Sequence, residues 1–183
     1  DIAISKLPQS VLQSSLPNVP YSKTLNGLQQ YCCDLLDEIG KTEVKFVKPN
    51  FAYYAGNDFS KILEAIYVKA REIGLTIILD SKIGDISRTQ QQYAEHFSKF
   101  DAITVNPYMG YDVIKPIVDF NIGVYVLVFT SNGGRDDLQT LICQDRNPLY
   151  YKVAEKVVEW NLANEGYDSS IGAVIGGTGE DLK

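Results

Sequence analysis

Leu75-Thr76-Ile77-Ile78-Leu79-Asp80-Ser81-Lys82-Ile83-Gly84-Asp85-Ile86 is the stretch on which the fold turns. Its first five residues form an apolar run, and such runs suit strands buried on both faces of a sheet. Three charges, Asp80, Lys82 and Asp85, follow within six residues. A buried strand that ends in charged residues is typical of parallel α/β folds, where chemistry gathers at the carboxyl ends of the strands.

The same alternation extends in both directions. Upstream, Thr24–Ile39 reads as a helix stopped by Gly40, and Val44–Lys48 as a strand. Phe59, Ile62, Leu63, Ile66, Ala70 and Ile73 have helical spacing. Asp58 can cap that helix and Gly74 can end it in a left-handed turn. Downstream, Ser87 and Gln90 have capping-box spacing before a helix to about Lys99. Ala102–Val105 is a short strand, and Asp112 can cap a short helix to about Phe120. Gly123–Phe129 is the most strand-like segment. Asn147-Pro148 reads as a cap followed by proline at the first helical position. Leu149, Val153, Val157 and Trp160 then share a helix face that ends near Gly166, before a last strand, Ile171–Ile175.

Five strands with intervening helices imply a parallel sheet. Lys48, Asp80, Lys82, Asn106, Thr130, Ser131 and Thr178 all follow strand ends. The pattern fits a TIM (β/α)8 barrel or an open doubly wound sheet. A barrel needs eight strands and usually about 250 residues, so roughly three strands are not accounted for.

Bulk properties narrow the function. The 183 residues fit one domain, and the 45% hydrophobic content supplies one sizeable core. A net charge of −6 argues against a nucleic-acid footprint, which needs a basic face. It leaves room for a phosphate-bearing metabolite, which a few local donors can hold. No run of about 18 apolar residues suggests a membrane span. Asp1-Ile2-Ala3-Ile4-Ser5-Lys6 lacks the shape of a signal peptide, so a cytoplasmic location is expected. Cys32, Cys33 and Cys143 are expected to be reduced thiols.

Charges at a buried strand end should be paired, because burying them alone is costly. Asp80 and Lys82 are two apart and would face the same side of an extended backbone. Asp85 lies beyond Gly84, where the chain can turn sharply. A lysine held between two aspartates stays protonated and suits a positioned general acid. A carboxylate fixed beside a bound anion raises that anion's energy, and charge lost in the transition state relieves the repulsion. Taken alone, the pattern also fits a salt-bridge cluster that only closes the strand end.

Asp80-x-Lys82-x-x-Asp85-Ile86-x-x-Thr89 resembles the signature of the orotidine 5′-monophosphate decarboxylase suprafamily. Val47-Lys48-Pro49-Asn50-Phe51-Ala52 is similar to the K-P-Q-x-A segment of one bacterial-type branch, with Asn50 in place of Gln. Thr104-Val105-Asn106-Pro107-Tyr108-Met109-Gly110 closely resembles that branch's T-V-N-P-Y-x-G. Thr130-Ser131-Asn132-Gly133-Gly134 resembles T-S-N-P-G, with Gly133 in place of Pro, and Val174-Ile175-Gly176-Gly177-Thr178 resembles V-G-A-T. The five motifs keep the family's order and spacing.

The resemblance implies an alternating charged network of Lys48, Asp80, Lys82 and Asp85. In it, Lys82 protonates C6 of the pyrimidine as carbon dioxide leaves. Asp80 stresses the substrate carboxylate, and Lys48 bonds the ribose and orients Asp80. Asp85 reaches into the site of a second subunit, with Ile86 and Thr89 beside it, so the implied enzyme is a homodimer with composite sites. Neither metal nor organic cofactor is implied, and fixed charges would stabilise the carbanion. Ser131 matches the residue that bonds the pyrimidine edge, and Asp1 the ribose-contacting aspartate of the first strand. Asn106 and Thr178 fit the pattern as substrate-site or scaffold residues. The family's phosphate-binding loop and its Gly-Arg are not found after Thr178. A full barrel would need roughly 60 or more further residues, for the first strand and the last two.

Three other readings compete. Magnesium-dependent sugar-phosphate enzymes of the same suprafamily share D-x-K-x-x-D, but carry an acidic metal ligand where this chain has Lys48. A non-catalytic barrel fragment acting as a binding module is the second. A Schiff-base aldolase using Lys82 is the weakest, since flanking aspartates raise a lysine pKa that imine formation needs lowered. The single histidine, His96, reads as a surface helix residue, which disfavours a histidine triad or zinc site. Gly176–Gly179 lacks the Lys-Ser/Thr of a P-loop. Tyr53-Tyr54 and Tyr150-Tyr151 read as packing residues, and Arg135 as part of a solvated loop that could lie near the site entrance.

Overall fold

The computed structural model describes residues 21–54, 59–164, 166 and 170–177. The chain falls into two compact units, Asp1–Asp80 and Ser81–Lys183.

The first unit contains helix α1, Tyr21–Gly40, and helix α2, Phe59–Glu72. Leu28, Cys32 and Leu36 of α1 are buried, as their spacing of four places them on one face. Ile62, Leu63, Ile66 and Ala70 do the same for α2. Lys69 of α2 lies 2.7 Å from Asp37 of α1 on the partly exposed rim of this pairing. Gly74 ends the segment with φ +75°, as its position suggested. Asp58, the expected cap, lies outside the described residues. Buried Cys32 places its sulfur 3.9 Å from the Tyr54 hydroxyl, and burial pushes both groups' pKa values up. All three cysteines are free.

Strand β1 is only Phe46–Val47, shorter than the expected Val44–Lys48. It pairs parallel with β2, Thr76–Ile83, in the register Phe46↔Thr76 and Val47↔Ile77. Proline offers no N–H to a ladder, and Pro49 interrupts β1. Its carbonyl still accepts from Asp80 N at 2.9 Å, and pairing resumes as an Asn50↔Asp80 bridge. That contact carries β2 past the apolar run, so the strand is longer than expected and includes Asp80, Ser81 and Lys82.

In the second unit, the end of β2 runs beside β3, Ala102–Val105, and Asn106 N donates to Ile83 O at 2.7 Å. β3 pairs parallel with β4, Gly123–Phe129, from Ala102↔Gly123 to Val105↔Val126. β4 pairs parallel with β5, Ile171–Ile175, with a register shift between Leu127 and Phe129. The strand order is therefore the chain order, β1 to β5, with β2 shared by the two units. The connecting helices are α3, Ser87–Phe97, α4, Lys115–Val118, and α5, Leu149–Ala163. Phe97, Ile103, Ile114, Ile117, Ile122 and Val124 form the core. Burying each is worth about 1.5–3 kcal/mol, against about 0–1 kcal/mol for an exposed ion pair. Apolar packing therefore holds this unit together.

Three helix starts differ from expectation. Ile86, not Ser87, occupies the cap of α3, with no side-chain bond, and Gln90 turns into the core instead of closing a capping box. Asp112 caps nothing. Asn106 caps one segment earlier, its Oδ1 accepting from Tyr108 N at 3.1 Å to start a 3-10 segment, Pro107–Val113. The Asn147 side chain bonds Asp145 at 3.0 Å, and Pro148 takes the cap position of α5. Among the described residues no helix is long and apolar enough to cross a membrane.

Candidate active site

In the first unit, Lys48 and Asp80 meet directly. Lys48 Nζ donates to Asp80 Oδ2 at 2.6 Å. The pair is asymmetric, with the Lys48 side chain 52% exposed and that of Asp80 only 8%. The backbone bond from Asp80 N to Pro49 O fixes Asp80 against the segment that carries Lys48. Asn50, which stands where the family has Gln, uses its short side chain locally. Its Oδ1 accepts from Ala52 N at 3.1 Å and caps the 3-10 turn Phe51–Tyr53. Lys48 and Asn50 line a cavity of about 210 Å³ together with Cys32, Leu36 and Tyr54.

In the second unit, Thr104 organises the end of β2. Lys82 N donates to Thr104 Oγ1 at 2.8 Å, and Ser81 Oγ donates to Thr104 O at 3.0 Å. Lys82 has φ +49°, so the backbone is not extended there and the expectation of simple two-residue alternation fails. A non-glycine residue in this region costs of order 1–3 kcal/mol and persists where its surroundings impose it. Ser87 is the second such residue, at φ +51°. The left-handed turns therefore fall on Lys82 and Ser87. Gly84 serves close approach instead, since a Cβ there would lie 3.0 Å from Asn106 O.

Asp85 is half-buried. Its N–H donates to Gln90 Oε1 at 3.1 Å, and its Oδ1 accepts from Ile86 N at 2.8 Å. Ile86 and Thr89 are exposed at the start of α3. Asn106 is exposed too, with its side-chain oxygen engaged in the cap at Tyr108.

Ser131 follows the irregularity at the end of β4, and such bulges commonly re-aim side chains beside active sites. Its loop is clamped by Gln139. Thr130 N donates to Gln139 Oε1 and Gln139 Nε2 to Thr130 Oγ1, both at 2.8 Å. Gly176 lies against this loop, and a Cβ there would come within 2.9 Å of Ser131 N. Gly176 thus serves packing beside Ser131. Arg135 is not a solvated residue. Its guanidinium lies 4.3 Å from the centre of the Phe129 ring, which Tyr150 contacts at 4.5 Å. Asn106, Thr130 and Gln139 border a cavity of about 500 Å³, within the range of small-molecule sites, ~300–1,000 Å³.

Gly133 is the first residue of the 3-10 turn Gly133–Asp137, a position that suits proline, and a side chain there would meet open space. Gly133→Pro is expected to raise stability by about 0.5–1 kcal/mol by restricting the unfolded chain. Urea unfolding of the two forms would check this, and a lower midpoint for the proline form would refute it.

Lys48 with Asp80, and Lys82 with Asp85 and Asn106, are thus placed within their respective units. Asp1 and Thr178 lie outside the described residues. Gln139 was missed because a lone polar residue in a loop gives no signal. Gln90 had a signal, its capping-box spacing, but for a different task.

A model of the Orotidine 5'-phosphate decarboxylase / HUMPS family matches residues 23–183. The orotidine 5'-phosphate decarboxylase of Halobacterium salinarum is 36% identical over 184 residues, covering 99% of this chain and 63% of that protein. The one from Bordetella pertussis is 38% identical over 183 residues, covering 93% and 65%. The solved structure of Leishmania donovani OMP decarboxylase has a TM-score of 0.75 at 32% identity, covering 89% of this chain and 64% of that one. The chain belongs to the orotidine 5'-phosphate decarboxylase / HUMPS family. Its five parallel strands are a portion of that family's (β/α)8 barrel. The chain spans about two thirds or less of the length of these relatives.

Proposed function

We propose that the protein carrying this chain decarboxylates orotidine 5′-monophosphate to UMP, within one barrel domain and as a cytoplasmic step of pyrimidine biosynthesis. The observation that carries this reading is the 2.6 Å pair of half-exposed Lys48 and buried Asp80, set in the family's motif. Asp80 sits near the substrate carboxylate and Lys48 holds it there. The C6–carboxylate bond breaks, its electron pair stays on C6, and carbon dioxide leaves. Lys82 gives the proton that C6 takes up and recovers one from solvent. Loss of the carboxylate's charge beside Asp80 lowers the barrier, since the repulsion exists only in the ground state. No cofactor enters this scheme. Ser131 bonds the pyrimidine edge, and Asp1, Asn106 and Thr178 complete the substrate contacts. Asp85, with Ile86 and Thr89, serves the site of a second subunit, which makes the active form a homodimer.

The test follows the ultraviolet absorbance of orotidine 5′-monophosphate with the full-length protein and EDTA present. Rapid loss of absorbance is the expected result. Loss only on adding magnesium would move the assignment to the sugar-phosphate enzymes of the suprafamily. A folded protein with no activity either way would favour a binding module.

A further inference from the structure

The buried amide of Gln90 stands out among the polar groups of the second unit. Gln90 lies one turn inside α3 and has no solvent exposure. Both ends of its side chain are used. Oε1 accepts from Asp85 N at 3.1 Å, and Nε2 donates to Val113 O at 2.6 Å. Val113 closes the 3-10 segment that follows β3, so one side chain ties the loop after β2 to the loop after β3. A buried amide is retained in a core only if both its ends are satisfied, and here its partners are two backbone groups, the Asp85 N–H and the Val113 carbonyl.

We propose that Gln90 is a positioning residue that fixes the backbone at Asp85 and so sets where the Asp85 carboxylate points. The inference rests on the role given to Asp85 above. The loop it fixes is short and bounded by left-handed residues, Lys82 and Ser87. Gly84 in its middle is pressed against Asn106. The close approach at Gly84 is steric, the bonds from Lys82 N to Thr104 and from Asn106 N to Ile83 hold the start of the loop, and the bond to Gln90 holds the Asp85 N–H itself. A loop set this way has little freedom to drift while the bond holds. Without it, the Asp85 N–H and the Val113 carbonyl each lose their partner, and rotation about the Asp85 backbone becomes the cheapest way to rehydrate the N–H.

The experiment compares wild type with Gln90→Met, which keeps the side-chain length and removes both bonds, in the full-length protein. Amide hydrogen exchange at Asp85 is read first, since it does not depend on the reaction. Asp85 N–H should exchange slowly in wild type, with the core amides, and at the rate of an exposed loop in the variant. The wild-type measurement stands alone if the variant fails to fold, and fast exchange at Asp85 there would overturn the proposal. In the folded variant kcat/KM should fall on the order of 10²-fold, the scale of a 1 Å misplacement. A melting point lowered by a plain core defect would not produce that loss per folded molecule. A folded variant with wild-type kcat/KM and slow Asp85 exchange would overturn the proposal. A wild type that exchanges slowly at Asp85, and yet decarboxylates nothing, would sink the functional reading while leaving the clamp on Asp85 supported.

Discussion

Lys82→Ala is expected to lower kcat by a factor on the order of 10³ or more, the scale of losing a general acid together with a fixed charge. Stability should change little. Lys82 is exposed, and alanine inherits the same left-handed backbone, so the strain is neither relieved nor increased. The loss should be confined to kcat if substrate still binds through its other contacts. Steady-state decarboxylation and a thermal melt of the same preparation check both parts. A variant that retains a tenth or more of the wild-type rate would remove Lys82 from the chemistry.

The second large effect is expected at Asp80. Asp80→Asn should reduce kcat by about 10²-fold or more, since in the proposed reaction its charge stresses the substrate. The same change should leave stability within about 1 kcal/mol of wild type, because the charge left behind, on Lys48, is half-exposed and water can reach it. Lys48→Met is the reverse experiment. It leaves a buried carboxylate without this partner and should cost about 1–3 kcal/mol. Chemical denaturation of both variants, with kcat measured alongside, tests this asymmetry. Equal destabilisation by the two would mean that the pair is a structural ion pair first.

Much of the architecture was legible because burial enforces it. Ala102–Val105, Gly123–Phe129 and Ile171–Ile175 appear with the expected bounds, since an apolar run between turn residues has one good solution in a parallel sheet. Helix starts were read less well. At Ser87 and Asn147 the helix starts one residue away from the plausible cap, on a neighbour with no side-chain cap bond, and ahead of Asp112 the capping falls to Asn106, so tertiary packing rather than cap chemistry chose. The charged residues were singled out from spacing and resemblance, but the supports around them were not. Gln90 and Gln139 act through backbone groups 23 and 9 residues away in sequence, and no local pattern encodes such partners. The left-handed backbone at Lys82 was also hidden, because lysine carries no preference for it.

That backbone has a consequence for how this chain would change over generations. Glycine or asparagine would sit at position 82 more comfortably than lysine does. Under the proposed reaction, selection for the amine keeps lysine there, at a standing cost to stability. In a duplicated copy freed from catalysis, drift would be pushed in one direction at this site, toward the residue the backbone prefers. Glycine or asparagine at the place of Lys82, with Gly84 and Thr104 retained, would mark a descendant that has kept the barrel and given up the reaction.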